Sequence, residues 1–250
     1  MSAADVLDQL RALGTIEARN TWARHGAPET MFGVRFADIE ALAKRHRGDH
    51  ALACELWASE NVDARILAVK IADPEQMSGA ELDRWLGQLR WYMGVDVFVS
   101  SLVARSKHAQ QKAAAWAKAR DELRGRGGWM LIAQLAADHS IPDEWFADRI
   151  DAIVAGIHAA PNRKREAMNS ALIAIGGYRE ALRERALTAA DQIGKVEVDH
   201  GDTYCKTPDA RAYIESMVAR AQRSTKTAAK KKPAAKKTAA KKKPAAKRSK

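Results

Sequence analysis

The chain has 250 residues, with 42 Lys and Arg against 31 Asp and Glu, a formal charge of +11 and only two cysteines. Cys54 and Cys205 cannot build a disulfide framework, no apolar run approaches the ~18 residues of a membrane span, and the N-terminus lacks the order of a signal peptide. A secreted, membrane-spanning or disulfide-stapled protein is thereby excluded, and a reducing, cytoplasmic setting is expected.

Helical spacing recurs along the chain at about 3–13, 15–25, 36–46, 50–59, 62–72, 78–89, 92–106, 108–119 and 122–138. Ile141-Pro142-Asp143-Glu144 is a helix start, with an early proline and carboxylates in the first turn. Behind it Phe146, Ile150, Ile153, Val154 and Ile157 share one face. Asn162 is positioned to cap the next helix, Met168, Leu172 and Ile175 form its stripe, and Gly176-Gly177 are expected to end it. Thr207-Pro208-Asp209 opens the last helix, which carries Ile214, Val218 and Ala221. Hairpin-bounded strand alternation is not visible. About a dozen short helices with short connections predict an all-α fold, an α-solenoid of antiparallel helix pairs, over residues 1–223.

Residues 224–250 differ in kind. They hold 12 cations and no carboxylate, in an AAKKKPAAK repeat broken by Pro233 and Pro244, so residues 1–223 are close to neutral. With no apolar face, this tail is expected to be disordered in isolation. Lys230, Lys231, Lys232, Lys241, Lys242 and Lys243 suit non-specific contact with a polyanion, because neutralising phosphates releases counterions. Aromatic or leucine residues that would insert into a membrane surface are lacking.

Three internal features carry chemistry. Asp96 interrupts the apolar run Trp91-Tyr92-Met93-Gly94-Val95-Asp96-Val97-Phe98-Val99, four residues after Tyr92 on one helical stripe. A carboxylate there is costly to bury unless it is hydrogen-bonded or faces a ligand; alternatively it merely sits near the positive end of a helix beginning at Tyr92. A positive run from Arg105 to Arg126 includes Lys118, Arg120, Arg124 and Arg126, and Arg163, Lys164 and Arg165 open a later helix. Basic helix starts can track a phosphate backbone, or be ordinary solvated faces. Asp199, His200, Asp202 and Cys205 cluster in residues 195–208, but their spacing fits no metal signature and reads better as an ordered loop turning at Gly201. Neither a metal nor a small-molecule cofactor is expected. Trp57 is placed as a core residue.

The stretch Gly33–Lys44 (GVRFADIEALAK), with Leu52-Ala-Cys-Glu-Leu-Trp57 and Asp63-Ala-Arg-Ile-Leu-Ala68, resembles the DNA alkylation repair glycosylases built from HEAT-like helical repeats. The resemblance covers roughly residues 5–220. It implies a curved superhelix with a concave groove for double-stranded, alkylated DNA. It makes Asp96 the counterpart of the catalytic aspartate, Tyr92 and Trp91 the lesion-contacting aromatics, and Arg126 a phosphate-binding arginine. Ser170 stands where active members of that family carry a second tryptophan.

The chemistry implied is hydrolysis of the N-glycosidic bond of N3- or N7-alkylated purines. The cationic base is already a good leaving group, so one carboxylate can stabilise the sugar cation and position water. The alternatives are a DNA-binding solenoid that recognises damaged or structured DNA without excision, and a protein-interaction scaffold. A monomer is expected, associated with the nucleoid.

Overall fold

The structure, a computed structural model, describes residues 2–231, with side chains placed through Arg223. Among the described residues there are thirteen α-helices, two 3-10 turns and no strand. In chain order they are α1 (Ala3–Leu13), α2 (Ile16–Arg24), α3 (Phe36–Arg45), α4 (His50–Ala58), α5 (Val62–Ile71), α6 (Gly79–Gln88) and α7 (Tyr92–Ser101). Then follow α8 (Ala109–Ala117), α9 (Glu122–Leu135), α10 (Asp143–Gly156), α11 (Asn162–Tyr178), α12 (Arg183–Ile193) and α13 (Ala210–Lys231).

Short polar side chains start many of these helices by accepting otherwise unpaired first-turn amides. Ser2 with Asp5, and Ser78 with Glu81, form capping boxes on α1 and α6. Thr15, Asp49, Asn61 and Asp121 cap α2, α4, α5 and α9, and Asp209 accepts the amide of Ala212 at the start of α13.

Two rows of helices result. From α3 onward each odd-numbered helix packs on the next odd-numbered one, through α5, α7, α9 and α11 to α13. The even-numbered helices lie outside: α4 packs on α5, α8 on α9, and α10 and α12 on α11. Each pair buries its apolar stripe against its neighbours, as an α-solenoid requires. The core runs along the array without interruption, from Val6 and Leu10 to Ile193 and Ile214. Trp57 is buried as expected and stacks on Trp85, ring centroids 4.1 Å apart. Phe146, Ile150 and Ile153 are buried on α10 and Ile157 just after it, and Met168, Leu172 and Ile175 are buried on α11.

Five local expectations are corrected. The stretch 92–106 is not one helix: the backbone leaves α7 at Leu102 and makes a 3-10 turn over Val103–Arg105. Asn162 does not cap α11; Pro161 holds that position, and the Asn162 side chain instead exchanges two hydrogen bonds with the main chain of Asp199. Gly176 does not stop α11 but lies inside it, because Ile214 of α13 packs there; a Cβ at Gly176 would fall 2.7 Å from its Cδ1. α12 was not anticipated, since it buries mainly the small Ala186, Ala189 and Ala190 and shows little apolar periodicity. Finally, α13 continues to Lys231, eight residues into the segment set apart by composition.

The Gly33 and Asp63 motifs find a structural explanation here. Asp63, on α5, is fully buried and accepts the amides of Phe32 (2.6 Å), Gly33 (3.4 Å) and Val34 (2.7 Å). Gly33 adopts φ +83°, and a Cβ there would meet Arg19 N at 2.7 Å and Thr15 O at 2.8 Å. Only glycine fits this turn, and the carboxylate fixes it.

Candidate functional site

The inner helices carry cations where they begin. Arg35 precedes α3, Arg90 precedes α7, Lys118 and Arg120 precede α9, Arg163, Lys164 and Arg165 lie in the first turn of α11, and Lys206 precedes α13. Arg35, Arg90, Lys118, Arg120 and Lys206 are exposed. Helix N-termini already hold partial positive charge, so these side chains reinforce a field that favours anions.

The starts of α7, α9 and α11 meet in one polar clasp. Asp96, on the second turn of α7, receives two parallel hydrogen bonds from Arg126 of α9: Nε to Oδ1 at 2.8 Å and Nη2 to Oδ2 at 2.7 Å. The remaining Arg126 nitrogen, Nη1, donates to Glu166 Oε2 at 2.7 Å and to the Arg163 carbonyl at 3.1 Å. Arg163 also pairs with Glu166, at 3.2 Å. Tyr92 completes the clasp. Its ring lies 4.1 Å from the Arg163 guanidinium and 4.9 Å from that of Arg126, and its hydroxyl shares a 2.6 Å hydrogen bond with His25 Nδ1. Above Glu166, His200 approaches to 4.0 Å and is held by Thr207 at 3.0 Å. Residues 195–208 are therefore an ordered loop resting on the clasp, turning at Gly201 with φ +60°.

The charges are unequally settled. Burial raises the Asp96 carboxyl above its ordinary value, against the opposing pull of Arg126. Burial also acts on Glu166, but the Arg126 and Arg163 guanidiniums outweigh it and hold that carboxyl below its ordinary value. The Tyr92 hydroxyl is raised, chiefly by burial. Arg126 is 3% exposed, whereas the Asp96 side chain keeps 26% of its surface.

The structure brings Asp96, Tyr92, Arg126 and Arg163 together. It separates the others. Trp91 is 3% exposed, with its indole donated to the His25 carbonyl at 2.9 Å and its ring 5.2 Å from Trp22; it is a core residue, not a face open to a nucleotide. Arg126 likewise is not open to a phosphate, because its donors are directed at Asp96, Glu166 and Arg163. Arg124 is engaged by Asp83, Lys164 donates to the Ala119 carbonyl at 2.8 Å, and Arg165 donates to the Glu197 and Ala160 carbonyls. Ser170 donates to the Glu166 carbonyl one turn before it, at 3.1 Å. Lys230, Lys231, Lys232, Lys241, Lys242 and Lys243 lie outside the described side chains.

Three clasp members were missed in the sequence. Glu166 had a signal, standing three residues after Arg163 on one helical face, and His200 lay in a segment noted for its polar cluster. His25 had none. Among the described residues no group of three or more His, Cys, Asp and Glu is arranged to hold a metal ion, and no helix is long and apolar enough to cross a membrane.

Comparison with known proteins agrees with this architecture. Residues 6–232 match the family described as DNA alkylation repair enzyme. An uncharacterized protein of Listeria innocua, Lin0241, is 30% identical over 222 residues, covering 86% of this chain and 97% of that protein. Lmo0209, an uncharacterized protein of Listeria monocytogenes, is 29% identical over the same length and shares. A solved structure superimposes with a TM-score of 0.82 at 30% identity, over 88% of this chain and 95% of that one. It represents a new family of proteins related to the HEAT-like repeat DNA glycosylases, with affinity for branched DNA structures. With its stacked helix pairs and nearly its whole length matched, this chain belongs to the DNA alkylation repair enzyme family and has the HEAT-like repeat fold.

Proposed function

We propose that this protein binds double-stranded DNA at branched or otherwise structured sites, without excising a base. The basic starts of the inner helices supply phosphate contacts, and the tail adds non-specific affinity. The observation that carries the absence of excision is Arg163 on the Tyr92 ring at 4.1 Å. A cationic alkylated purine would be drawn to that same electron-rich face, where it meets a guanidinium instead. Asp96, bound twice by Arg126, has its charge spent inside the protein. The affinity of the solved relative for branched DNA points the same way. A nucleoid-associated location follows from this reading.

Excision of alkylated purines is the second reading, and the quarter of the Asp96 side chain that stays exposed favours it. It requires Arg163 to leave Tyr92 when DNA arrives, freeing the ring for the lesion and Asp96 for the sugar.

One experiment separates the two. The full chain is titrated into a fluorescein-labelled four-way junction and a linear duplex, and is incubated at high concentration with duplex carrying 7-methylguanine. Junction binding with no free base above background is expected. Base release that disappears in Asp96→Asn, with binding retained, establishes the glycosylase instead. Failure to bind either DNA refutes the DNA-binding reading.

A further inference from the structure

The second basic feature of this edge is a cleft, not a clasp. It opens between α8 and α10, where the 118–120 and 159–161 connections lead into α9 and α11, and encloses about 820 Å³. That volume is in the range of small-ligand pockets, about 300–1,000 Å³, and too small for a duplex. Lys118, Arg120, Arg149 and Lys164 line it against one carboxylate, Asp148. Its bed is apolar, formed by Ala114, Ala117, Ala152, Gly156 and Met168.

Two further observations point to a ligand. Trp129 forms part of the lining at 4% exposure, and its indole N–H is buried with no hydrogen-bond partner. A buried donor left unpaired is rare and costly, and three of the other buried indoles show the contrast: Trp57, Trp91 and Trp116 each donate to an oxygen at 2.6–2.9 Å. Second, Lys118 and Arg120 are exposed in this lining and, among the described residues, neither is tied to a carboxylate, whereas the first turn of α11 is already satisfied, the Arg163 amide donating to Glu122 Oε1 at 2.6 Å.

We infer that this cleft receives a single unpaired nucleotide of bound DNA. Its phosphate meets Lys118 and Arg120, and its base lies on the alanine bed beside Trp129. A small inorganic anion would leave the apolar bed unused. Arg163 and Lys164 are consecutive in α11, the first reaching Tyr92 and the second lining the cleft. DNA lying across the starts of α9 and α11 would therefore pass both. Branched DNA is the substrate most able to offer such a nucleotide, so the inference rests on the DNA-binding reading and names what selects the branch.

The test uses the full chain and two fluorescein-labelled probes: a linear duplex, and the same duplex bearing one unpaired 2-aminopurine nucleotide. Wild type is expected to prefer the second by about tenfold, with a change in 2-aminopurine emission as the base leaves water. Ala152 is exposed on the bed, and Ala152→Trp fills the cleft without entering the core. That variant is expected to bind both probes alike. Lys118→Ala with Arg120→Ala serves as a second variant and is expected to lose the same preference while keeping linear binding within a few-fold. Equal wild-type affinity for the two probes overturns the cleft, as does a preference that survives both variants. Absence of binding to either probe overturns the DNA-binding reading itself.

Discussion

Asp63 and Asp96 are the same residue type on neighbouring inner helices, and the protein satisfies them in opposite ways. Asp63 is fully buried and accepts three backbone amides from the 32–34 turn, with no cation among these partners. Asp96 is about a quarter exposed and is matched by one guanidinium, which also serves Glu166. Backbone amides held in a turn cannot be exchanged for another ligand without unfolding that turn. A side-chain ion pair at a wet edge can be exchanged, because an arriving phosphate offers Arg163 an equivalent partner to Glu166. The α5 carboxylate therefore holds a buried turn in place, and the α7 carboxylate holds a guanidinium at the edge.

The largest expected effect is at Asp63. Asp63→Ala leaves three amides without their acceptor, each costing roughly 1–3 kcal/mol when buried, so a loss of about 4–6 kcal/mol is expected in urea or thermal unfolding. A loss under 1 kcal/mol would mean the turn finds other partners and the contrast with Asp96 fails. Arg126→Met comes next. Removing the shared cation strands Asp96 and leaves Glu166 to Arg163 alone, and about 3–5 kcal/mol is expected. Adding Asp96→Asn to that variant should recover much of the loss, because Glu166 keeps Arg163 and no carboxylate is then left unpaired. If the double variant is no more stable than Arg126→Met, the clasp is held by packing and not by charge.

The same two regions show what could be read from sequence. Helix starts and apolar faces are local, so α1 to α11 were legible to within a few residues, with the break after α7 as an exception. α12 was not, because alanine buries a face without marking it. Gly33 and Asp63 stood out as motifs, yet their meaning depends on a contact between residues 30 positions apart that no spacing rule reveals. Asp96 and Tyr92 were picked out correctly as neighbours, since four residues in a helix fix that. What surrounds them was not legible: Arg126 looked like a free cation because its partners come from α7 and α11. Trp91, one residue before α7, faces the core, while Tyr92 faces the edge; adjacent residues at a helix start diverge, and only the fold decides which one is wet.

Glu166 gives the smallest predicted effect and the sharpest form of the contrast, because it and Asp63 titrate in opposite senses. Burial raises the Asp63 carboxyl against its three amides, while Arg126 and Arg163 overcome burial to lower Glu166. A lowered carboxyl stabilises the folded state above its unfolded value, about 4.3, and loses that contribution as pH falls through the folded value. A raised carboxyl does the reverse: its contribution is greatest below the unfolded value, about 3.9, and declines as pH rises toward the folded one. Unfolding free energies measured from pH 7 to pH 3 should therefore show the gap between wild type and Glu166→Gln, about 1 kcal/mol at neutral pH, closing on acidification. The gap between wild type and Asp63→Asn should widen over the same descent. If both gaps close together, Asp63 draws on a cation after all, and the division between a carboxylate held by backbone and one held by charge does not stand.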